Sequence, residues 1–484
     1  MKQQNIKVNA VLNTIKTLFS IIFPLITFPY VSRVLMPENI GKVNFGSSFV
    51  SYFSLIASLG IATYAIRECS AKRNDKNEFS ITASQLFSIN ICTTAIAYAL
   101  MILTLLFFRD FDSYRTLIII QSTAILITTL GCDWLNTAME DFAFITIRTI
   151  AFQVVSIVLM FMLIHGPEDY VKYAFITVLS SSGANITNIF YRKRYCKVQF
   201  VTEMNWKKHF KPIALLFVMI LAQNIFNNSD ITMLGLMKGD YEVGLYSTAV
   251  KMSNLVSQIV ASMAWVIMPR MSLYFAQEDY EKINEMLKKA LNVLITLGLP
   301  CAIGCICLSK EIVHIISGSQ YLDASTALSI LMVCFIFSLM GGSFLGNMVL
   351  LPSKKEGLYM KICCVSTGIN LVLNYFLIPI WGVNAAACTT AFSSFLMLLM
   401  LVFTKDRRIK IEHLLKVFVA PCAGCLLIIL SCMFVKNVIQ DLIARTIVSV
   451  ALSCISYFCI QFLLKNEIVI QIITLIKRKI HKEI

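Results

Sequence analysis

Long apolar segments separated by short polar connections run through the whole chain. Fourteen such segments can be marked, near residues 9–33, 43–66, 80–108, 114–138, 144–165, 170–191, 211–237, 243–268, 290–309, 324–351, 357–379, 382–404, 411–435 and 441–464. They reach or exceed the roughly 20 residues that a helix needs to cross a bilayer core. The connections are rich in Gly, Pro, Asn and Asp, which favour turns. The pattern predicts an all-α integral membrane protein with about 14 transmembrane helices.

The first predicted span carries a polar stripe along one face. Asn13, Lys16, Ser20, Pro24 and Thr27 recur at helical spacing between aliphatic residues. A charged or polar stripe inside a membrane usually faces a water-filled cavity or another helix. The first span is therefore predicted to line a cavity.

Three later spans carry polar residues at helical spacing as well. These are Gln223, Asn227 and Asp230 in the seventh span, Lys251, Asn254 and Gln258 in the eighth, and Thr367, Asn370 and Asn374 in the eleventh. A charge at the centre of a span costs about 2.5–3.5 kcal/mol on insertion scales. Asp230 and Lys251 would lie at a similar depth, so they either form a structural ion pair or serve transport, with Asp230 as a coupling residue. Lys16 has no acidic residue nearby in the sequence, which favours a functional role.

Composition and charge support the membrane assignment. The chain is 57% hydrophobic and only 14% charged, against about 25% charged in soluble domains. With the amino terminus placed inside, 31 of the 42 Lys and Arg residues fall in inner segments, 9 in outer loops and 2 within spans. Cytoplasmic loops collect Lys and Arg, so both termini are predicted to be cytoplasmic. The basic residues are scattered over many loops, which argues against nucleic-acid binding.

No catalytic motif is present, so the sequence predicts neither an enzyme nor catalytic residues. The chain has no GxSxG, Walker or HExxH motif, and most of its 16 cysteines lie inside apolar runs as small filler residues. No metal site and no cofactor are expected.

A short internal similarity suggests two parallel repeats. The turn Leu35–Gly41 follows the first span, and the similar turn Leu236–Gly244 follows the seventh. Transporters are often built from such halves. We predict two pseudo-symmetric six-helix lobes, residues 1–197 and 198–408, followed by two further helices and a basic cytoplasmic tail in 409–484.

Two groups of short motifs stand out along the chain. The first group is Pro29-Tyr30-Val31-Ser32-Arg33-Val34-Leu35, Ile40-Gly41, Leu59-Gly60-Ile61-Ala62 and Ile66-Arg67-Glu68. The second is Asp230-Ile231-Thr232-Met233-Leu234-Gly235 followed by Val243-Gly244-Leu245-Tyr246-Ser247 and Lys251. These motifs resemble those of the lipid-linked oligosaccharide flippases, the O-antigen and capsule repeat-unit translocases of the multidrug/oligosaccharidyl-lipid/polysaccharide exporter (MOP) superfamily, and the resemblance extends over essentially the whole chain. One departure is Leu35-Met36-Pro37, where many relatives have Leu-Gly after the Ser-Arg pair.

The resemblance implies a flippase in the bacterial inner membrane. Its substrate would be an oligosaccharide repeat unit on a polyprenyl pyrophosphate, moved from the cytoplasmic to the outer leaflet by alternating access. Membrane lipids, a polysaccharide polymerase and chain-length machinery are the expected partners. Cavity residues would bind the sugars and offset the pyrophosphate charge. We assign these roles to Asn13, Asn227, Asn254 and Asn370, and to Lys16, Arg33, Arg67 and Lys251.

Two alternatives remain open on the sequence alone. The first is a cation-coupled multidrug or metabolite antiporter of the same superfamily, which would favour several buried carboxylates, whereas only Asp230 lies clearly within a span. The second is a polysaccharide polymerase or ligase, which would carry a large outer loop that this chain lacks.

Overall fold

A computed structural model describes residues 6–404, 408–409 and 417–470. The regular elements of these residues are all helices, and ten candidate spans are long and apolar enough to cross a membrane. The all-α membrane fold is therefore confirmed, while the count of fourteen spans stays a prediction. The chain forms two compact units, Met1–Gly244 and Leu245–Ile484. This division does not test the predicted repeat boundary at residue 197.

The first unit is built from nine helices and the first turn of a tenth, with bounds taken over the described residues. They are α1 Ile6–Ser58, α2 Ile61–Ala71, α3 Lys76–Phe107, α4 Arg115–Gly131, α5 Trp134–Ala138, α6 Phe142–Leu163, α7 Tyr170–Ser182, α8 Ala184–Tyr191, α9 Trp206–Met237 and the start of α10 Asp240–Ala276. Short 3-10 turns at Arg109–Tyr114, Pro167–Asp169 and Arg192–Arg194 connect them. Helix α1 packs against α3, α4, α6 and α9 and is the central element of this unit.

The predicted turn at Met36–Gly41 is a kink within α1. Met36 has φ 65° and ψ 165°, and the helix resumes at once with Pro37. Proline suits the first position of a helix because its φ is already helical and its missing N–H is not needed there. The Met-Pro pair that departs from the family pattern therefore ends one helical segment and begins the next without a loop.

Two predicted spans of the first unit are interrupted. Leu59 and Gly60 adopt positive φ between α1 and α2, and Cys132 does so between α4 and α5. The apolar pattern gave no sign of these breaks, because the residues on both sides are as apolar as an unbroken helix requires. The spans predicted at 43–66 and 114–138 are therefore each composed of two helices.

The second unit comprises most of α10 and six further helices of the described residues. These are α11 Tyr280–Cys307, α12 Ser309–Ser317, α13 Ala324–Ser338, α14 Glu356–Phe403, α15 Val419–Val438 and α16 Leu442–Leu463, with a π-helical segment at Leu339–Leu350. Segment 269–289 carries interspersed apolar and charged residues, which predict one amphipathic helix. This expectation is wrong, because α10 continues to Ala276 and α11 begins at Tyr280. Residues 471–484 of the predicted basic tail lie outside the described residues.

Helix α14 is a hairpin that reverses at Gly382. Gly382 has φ 55° and ψ −130°, a conformation that glycine adopts more readily than other residues. Ser366 donates to the Ser393 carbonyl oxygen at 2.7 Å, and Asn374 accepts from Thr389. These bonds join residues on opposite sides of Gly382, which confirms the eleventh and twelfth predicted spans as antiparallel neighbours.

A buried carboxylate attaches the last two helices to the second unit. Glu311 on α12 is 2% exposed, with Lys436 at 3.5 Å and Arg445 at 3.3 Å from its Oε1. Lys436 also donates to the Cys307 carbonyl oxygen at 3.1 Å. Both cations flank the connection between α15 and α16, so this cluster fixes the α15–α16 hairpin at one end.

Candidate polar cavity in the first unit

A cavity of about 250 Å³ lies inside the first unit, and we call it the polar cavity because most of its lining side chains carry hydroxyl, amide or carboxylate groups. Its walls come from the end of α1, from α2 to α5, and from the start of α8. The lining side chains are Ser54, Ala57, Ser58, Ala62, Ile66, Asn90, Ile125, Thr128, Thr129, Asp133, Trp134, Thr137 and Asn185. Hydroxyl and amide groups thus dominate the polar part of the lining, which suits hydrogen bonding to a polar solute.

The interrupted helices meet at this cavity. Irregular backbone at membrane depth is tolerated only where it is buried in protein or lines a polar cavity, because its carbonyl groups need partners. Near the α1–α2 break, the Ala57 carbonyl oxygen accepts from Asn90 at 2.8 Å and from Thr93 at 2.6 Å. At the end of α4, Arg192 donates to the Leu130 carbonyl oxygen at 2.7 Å, and Asn188 donates to that of Gly131. The polar side chains therefore stabilise the breaks that shape the cavity.

An ion pair joins Asp133, which lines the cavity, to the buried Arg148. The Asp133 side chain lines the cavity and is 39% exposed, whereas that of Arg148 is 5% exposed. Arg148 also donates to the Ala184 carbonyl oxygen at 3.0 Å and to Asn185 Oδ1 at 3.3 Å. Arg148 thus joins α6 to the starts of α5 and α8 and places a carboxylate beside the polar space.

The two similar turns of the sequence lie against each other within the first unit. A Cβ atom added at Gly41 would overlap the carbonyl group of Asp240, with its carbon 2.7 Å away, and one added at Gly244 would overlap that of Pro37, again 2.7 Å from the carbon. Only glycine permits backbones to approach this closely. Tyr114 also donates to Asp240 at 2.6 Å. The predicted repeat is not tested by this geometry, but its two turns make reciprocal contacts.

Hydrogen bonds between polar side chains also connect α1 to α9. Ser48 donates to the Asn228 carbonyl oxygen at 3.0 Å and lies 2.8 Å from the Thr232 hydroxyl, which Tyr52 also approaches at 3.1 Å. Ser51 and Asn224 form a longer bond of 3.4 Å. Polar positions of the second and seventh predicted spans therefore pair with each other.

A small loop next to the turns is held by one carboxylate. Asp169 accepts from the backbone N–H groups of His165 and Gly166 at 2.8 and 3.1 Å and from the Lys172 ammonium at 2.7 Å. These hydrogen bonds lower the pKa of Asp169 to about 2; the bond from the His165 N–H has the largest effect, and those from Lys172 and Gly166 add to it. Asn39 on α1 donates to the Pro167 carbonyl oxygen at 2.9 Å, so this loop packs beside the kink of α1.

Four of the predicted site residues of the first unit, one asparagine and three cations, lie outside the cavity lining. Asn13, Arg33 and Arg67 are exposed, and Lys16 is half-buried. Arg67 lies over the Tyr64 ring at 5.4 Å and approaches Glu68 at 3.7 Å. Lys16 is close enough to Arg148 for the two positive charges to interact. Their assignment to substrate binding stays a prediction.

The remaining predicted residues differ in burial. Asn227 and Asn254 are exposed, Lys251 is half-buried, and Asp230 is 2% exposed. Asp230 belongs to the first unit and Lys251 to the second, and their ion pair stays a prediction. Asn370 is fully buried in the second unit, where it donates to Thr390 at 3.3 Å and accepts from Asn374 at 3.1 Å.

The cavity residues were missed at the sequence level. The sequence puts Asp133 near the inner end of the fourth predicted span and Arg148 at an inner end of the fifth, and no pattern links the two residues across the 14 positions between them. The one indication in the sequence that Asp133 and Arg148 could pair was that they carry opposite charges and each lies beside a long apolar run. Among the described residues, no group of three or more His, Cys, Asp or Glu side chains could hold a metal ion.

Long apolar helices, interrupted spans and an internal polar cavity define a multi-pass membrane protein of the transporter type. Comparison with known proteins gives the family. The chain belongs to the polysaccharide biosynthesis protein family, whose model matches residues 6–275. The MatE family model also matches residues 216–376.

Two curated relatives illustrate this membership. A Shigella dysenteriae protein named as an O-antigen transporter is 22% identical over 79% of this chain and 95% of its own length. The capsular polysaccharide biosynthesis protein CapF of Staphylococcus aureus is 20% identical over 76% of this chain and 91% of its own length.

Solved structures show the same fold. The lipid II flippase MurJ, in its inward closed conformation, aligns with a TM-score of 0.74 at 16% identity over 95% of this chain and all of that chain. An inward-facing multidrug resistance MATE family transporter of the MOP superfamily aligns with a TM-score of 0.62 at 14% identity, over 84% of this chain and 99% of that chain. At these identities the alignments define the fold alone. The chain thus has the fold of MOP superfamily transporters.

Proposed function

We propose that this protein is a flippase that moves a polyprenyl-pyrophosphate-linked oligosaccharide repeat unit from the cytoplasmic to the outer leaflet for surface polysaccharide biosynthesis. The proposal rests mainly on family membership over residues 6–275, in a fold whose first unit contains the polar cavity. The names of two relatives, an O-antigen transporter and a capsular polysaccharide biosynthesis protein, support it.

The chemistry of the cavity is suited to this substrate. Sugar hydroxyls and a pyrophosphate need polar partners to cross a membrane, whereas a prenyl chain is as apolar as lipid. Serine, threonine and asparagine side chains around the cavity offer both donors and acceptors. Lys16, Arg33, Arg67 and Lys251 would offset the pyrophosphate charge, and Asn13, Asn227, Asn254 and Asn370 would bind sugar.

The cellular setting is part of the same proposal. The protein would reside in the bacterial inner membrane with both termini in the cytoplasm, and its two lobes, residues 1–197 and 198–408, would alternate access to the two sides. A polymerase and chain-length machinery would act on the delivered repeat units.

Gene deletion with complementation tests this function. We expect the deletion strain to lose surface polysaccharide and to accumulate lipid-linked repeat units, and the wild-type chain to reverse both effects. Normal polysaccharide in the deletion strain would contradict the proposal. A multidrug antiporter, suggested by the MatE match, would instead produce drug sensitivity with polysaccharide intact.

The proposed orientation can be tested by cysteine labelling. Phe200 is 54% exposed, and Gly166 has open space around its α-carbon, so single cysteines at these two positions should be tolerated. On a cysteine-depleted background, we expect position 166 to react with an impermeant thiol reagent in intact cells and position 200 to react only after permeabilisation. Labelling of position 200 in intact cells would overturn the orientation.

Lys16 provides a test of the proposed cation sites. A lysine acts towards phosphate mainly as a point charge, so we expect Lys16→Arg to retain substantial activity and Lys16→Gln to lose most surface polysaccharide at equal membrane abundance. If Lys16 instead extends to the inner headgroups, Lys16→Gln should be nearly silent. Complementation of the deletion strain, normalised to membrane protein, separates these outcomes, and full activity of the Gln variant would remove Lys16 from the site.

A further inference from the structure

A second and larger cavity lies in the second unit. It has a volume of about 580 Å³ and is formed by the end of α10, the start of α11, the connection 351–355 and the residues that follow α14. Among the described residues, the lining includes Lys354, Lys355 and Arg408 and a single carboxylate, that of Glu278. These described lining residues therefore carry a net positive charge.

Both lysines are available to a ligand. Lys354 and Lys355 are exposed, and in the part of the chain that the structure describes neither forms an ion pair or a side-chain hydrogen bond. By contrast, Lys282, Lys288 and Lys289 of the nearby α11 pair with Asp279, Glu467 and Glu285 at 2.6–2.7 Å. Lys354 and Lys355 are thus uncompensated, in contrast to these three lysines of α11.

Arg408 is held in a defined position at the same cavity. Its guanidinium carbon lies 4.1 Å from the centre of the Tyr280 ring, and Asn284 donates to its carbonyl oxygen at 3.2 Å. A guanidinium stacked on an aromatic ring keeps its N–H groups directed outward and binds phosphoryl oxygens in a bidentate manner. Arg408 would supply directional hydrogen bonds where the two lysines supply charge.

The connection that carries the lysines has an unusual backbone. Lys354 has φ 59°, a left-handed conformation that is uncommon and strained for a side chain of this size. The connection also directly follows the π-helical segment Leu339–Leu350, and π-helical turns occur often at functional sites. Val349, Leu350, Leu351 and Pro352 provide an apolar wall next to the cations.

We propose that this cavity binds a phosphoryl group, at a site separate from the polar cavity of the first unit. The ligand would be a phosphate ester that presents its oxygens to Lys354, Lys355 and Arg408 and its less polar part to the apolar wall. Two sources share this chemistry. One is the headgroup of an anionic phospholipid, and the other is a free phosphorylated metabolite on the side that the sequence predicts to be cytoplasmic.

Binding experiments on the purified full-length protein test the proposal. The lipid arm uses native mass spectrometry with phosphatidylglycerol and, for comparison, zwitterionic phosphatidylcholine. The soluble arm uses equilibrium binding of uridine monophosphate and inorganic phosphate. The variants are Lys354→Gln/Lys355→Gln, Lys355→Gln alone and Arg408→Gln. The charge-matched control is Lys288→Gln/Lys289→Gln, which removes two lysines outside the cavity.

We expect the wild-type protein to bind at least one of these phosphoryl probes, and the affinity to fall at least tenfold in the double lysine variant and in Arg408→Gln. The control should bind like the wild type. Selective retention of phosphatidylglycerol would identify a lipid site, and binding of a soluble probe would identify a metabolite site. Absence of binding in both arms, or an equal loss in the control variant, would overturn the proposal. These binding measurements do not depend on whether the protein is a flippase.

Discussion

Replacement of Asp133 by alanine is expected to destabilise the protein by about 3–5 kcal/mol, because it leaves the Arg148 guanidinium buried without a counter-charge. Arg148 is only 5% exposed at its side chain, and its bonds to Ala184 and Asn185 supply no negative charge. The measurement is the unfolding temperature of the detergent-solubilised protein, followed by size-exclusion chromatography after heating.

A matched control is available on the same unit. Arg73 and Glu140 form an ion pair at 2.6 Å, but their side chains are 33% and 44% exposed, and exposed pairs contribute about 0–1 kcal/mol. Glu140→Ala should therefore lower the unfolding temperature only slightly. The double variant Asp133→Ala/Arg148→Met should recover much of the loss, since it removes the buried charge as well. Equal unfolding temperatures for Asp133→Ala and Glu140→Ala would refute the structural role of the pair.

Substitution of valine for Gly41 or for Gly244 is expected to reduce surface polysaccharide to the level of the deletion strain. A side chain at either position overlaps the carbonyl group of the facing turn, so the two turns cannot remain in contact. A transporter that alternates access must close each side in turn, and loss of this contact would prevent closure on the turn side. Complementation measures the effect, with membrane abundance determined in parallel.

Gly166 is the matched control for these substitutions. It lies in the neighbouring loop, has φ −146° and has no atom within 4 Å of an added Cβ, so Gly166→Ala should complement fully. We also expect Gly41→Val and Gly244→Val to have similar effects, because their contacts are reciprocal. Wild-type polysaccharide with Gly41→Val would show that the close contact of the turns is not needed for transport.

The sequence pattern predicts the parts of this structure that depend on local properties. Apolar run length identifies the membrane helices, and the pairing of Ser366 with Ser393 confirms that two consecutive runs are antiparallel. The break at Cys132 was not predictable, since a left-handed residue in an apolar run is stabilised by distant partners such as Asn188 and Arg192. Burial of Arg148 likewise depends on a carboxylate 15 residues away and on carbonyl groups of another helix.

The candidate site likewise combines features that are visible in the sequence with contacts between residues far apart in the chain, which are not. The polar character of the seventh span was visible in the sequence, but the pairing of its Asn228 and Thr232 with Ser48 of the second span joins positions about 180 residues apart. The similarity of the turns around Gly41 and Gly244 was also visible, whereas their mutual contact was not. Three-dimensional packing therefore decides which polar residues form the cavity and which form helix contacts.

The central claim is tested most directly by reconstitution of the purified protein into vesicles with lipid-linked oligosaccharides extracted from the parent strain. A glycan-cleaving enzyme added outside distinguishes molecules in the outer leaflet from those in the inner leaflet. We predict that vesicles with the wild-type chain expose nearly all labelled oligosaccharide over time, whereas empty vesicles and vesicles with the Gly41→Val variant expose only about half. Identical protection in vesicles with and without the wild-type protein would contradict the flippase assignment.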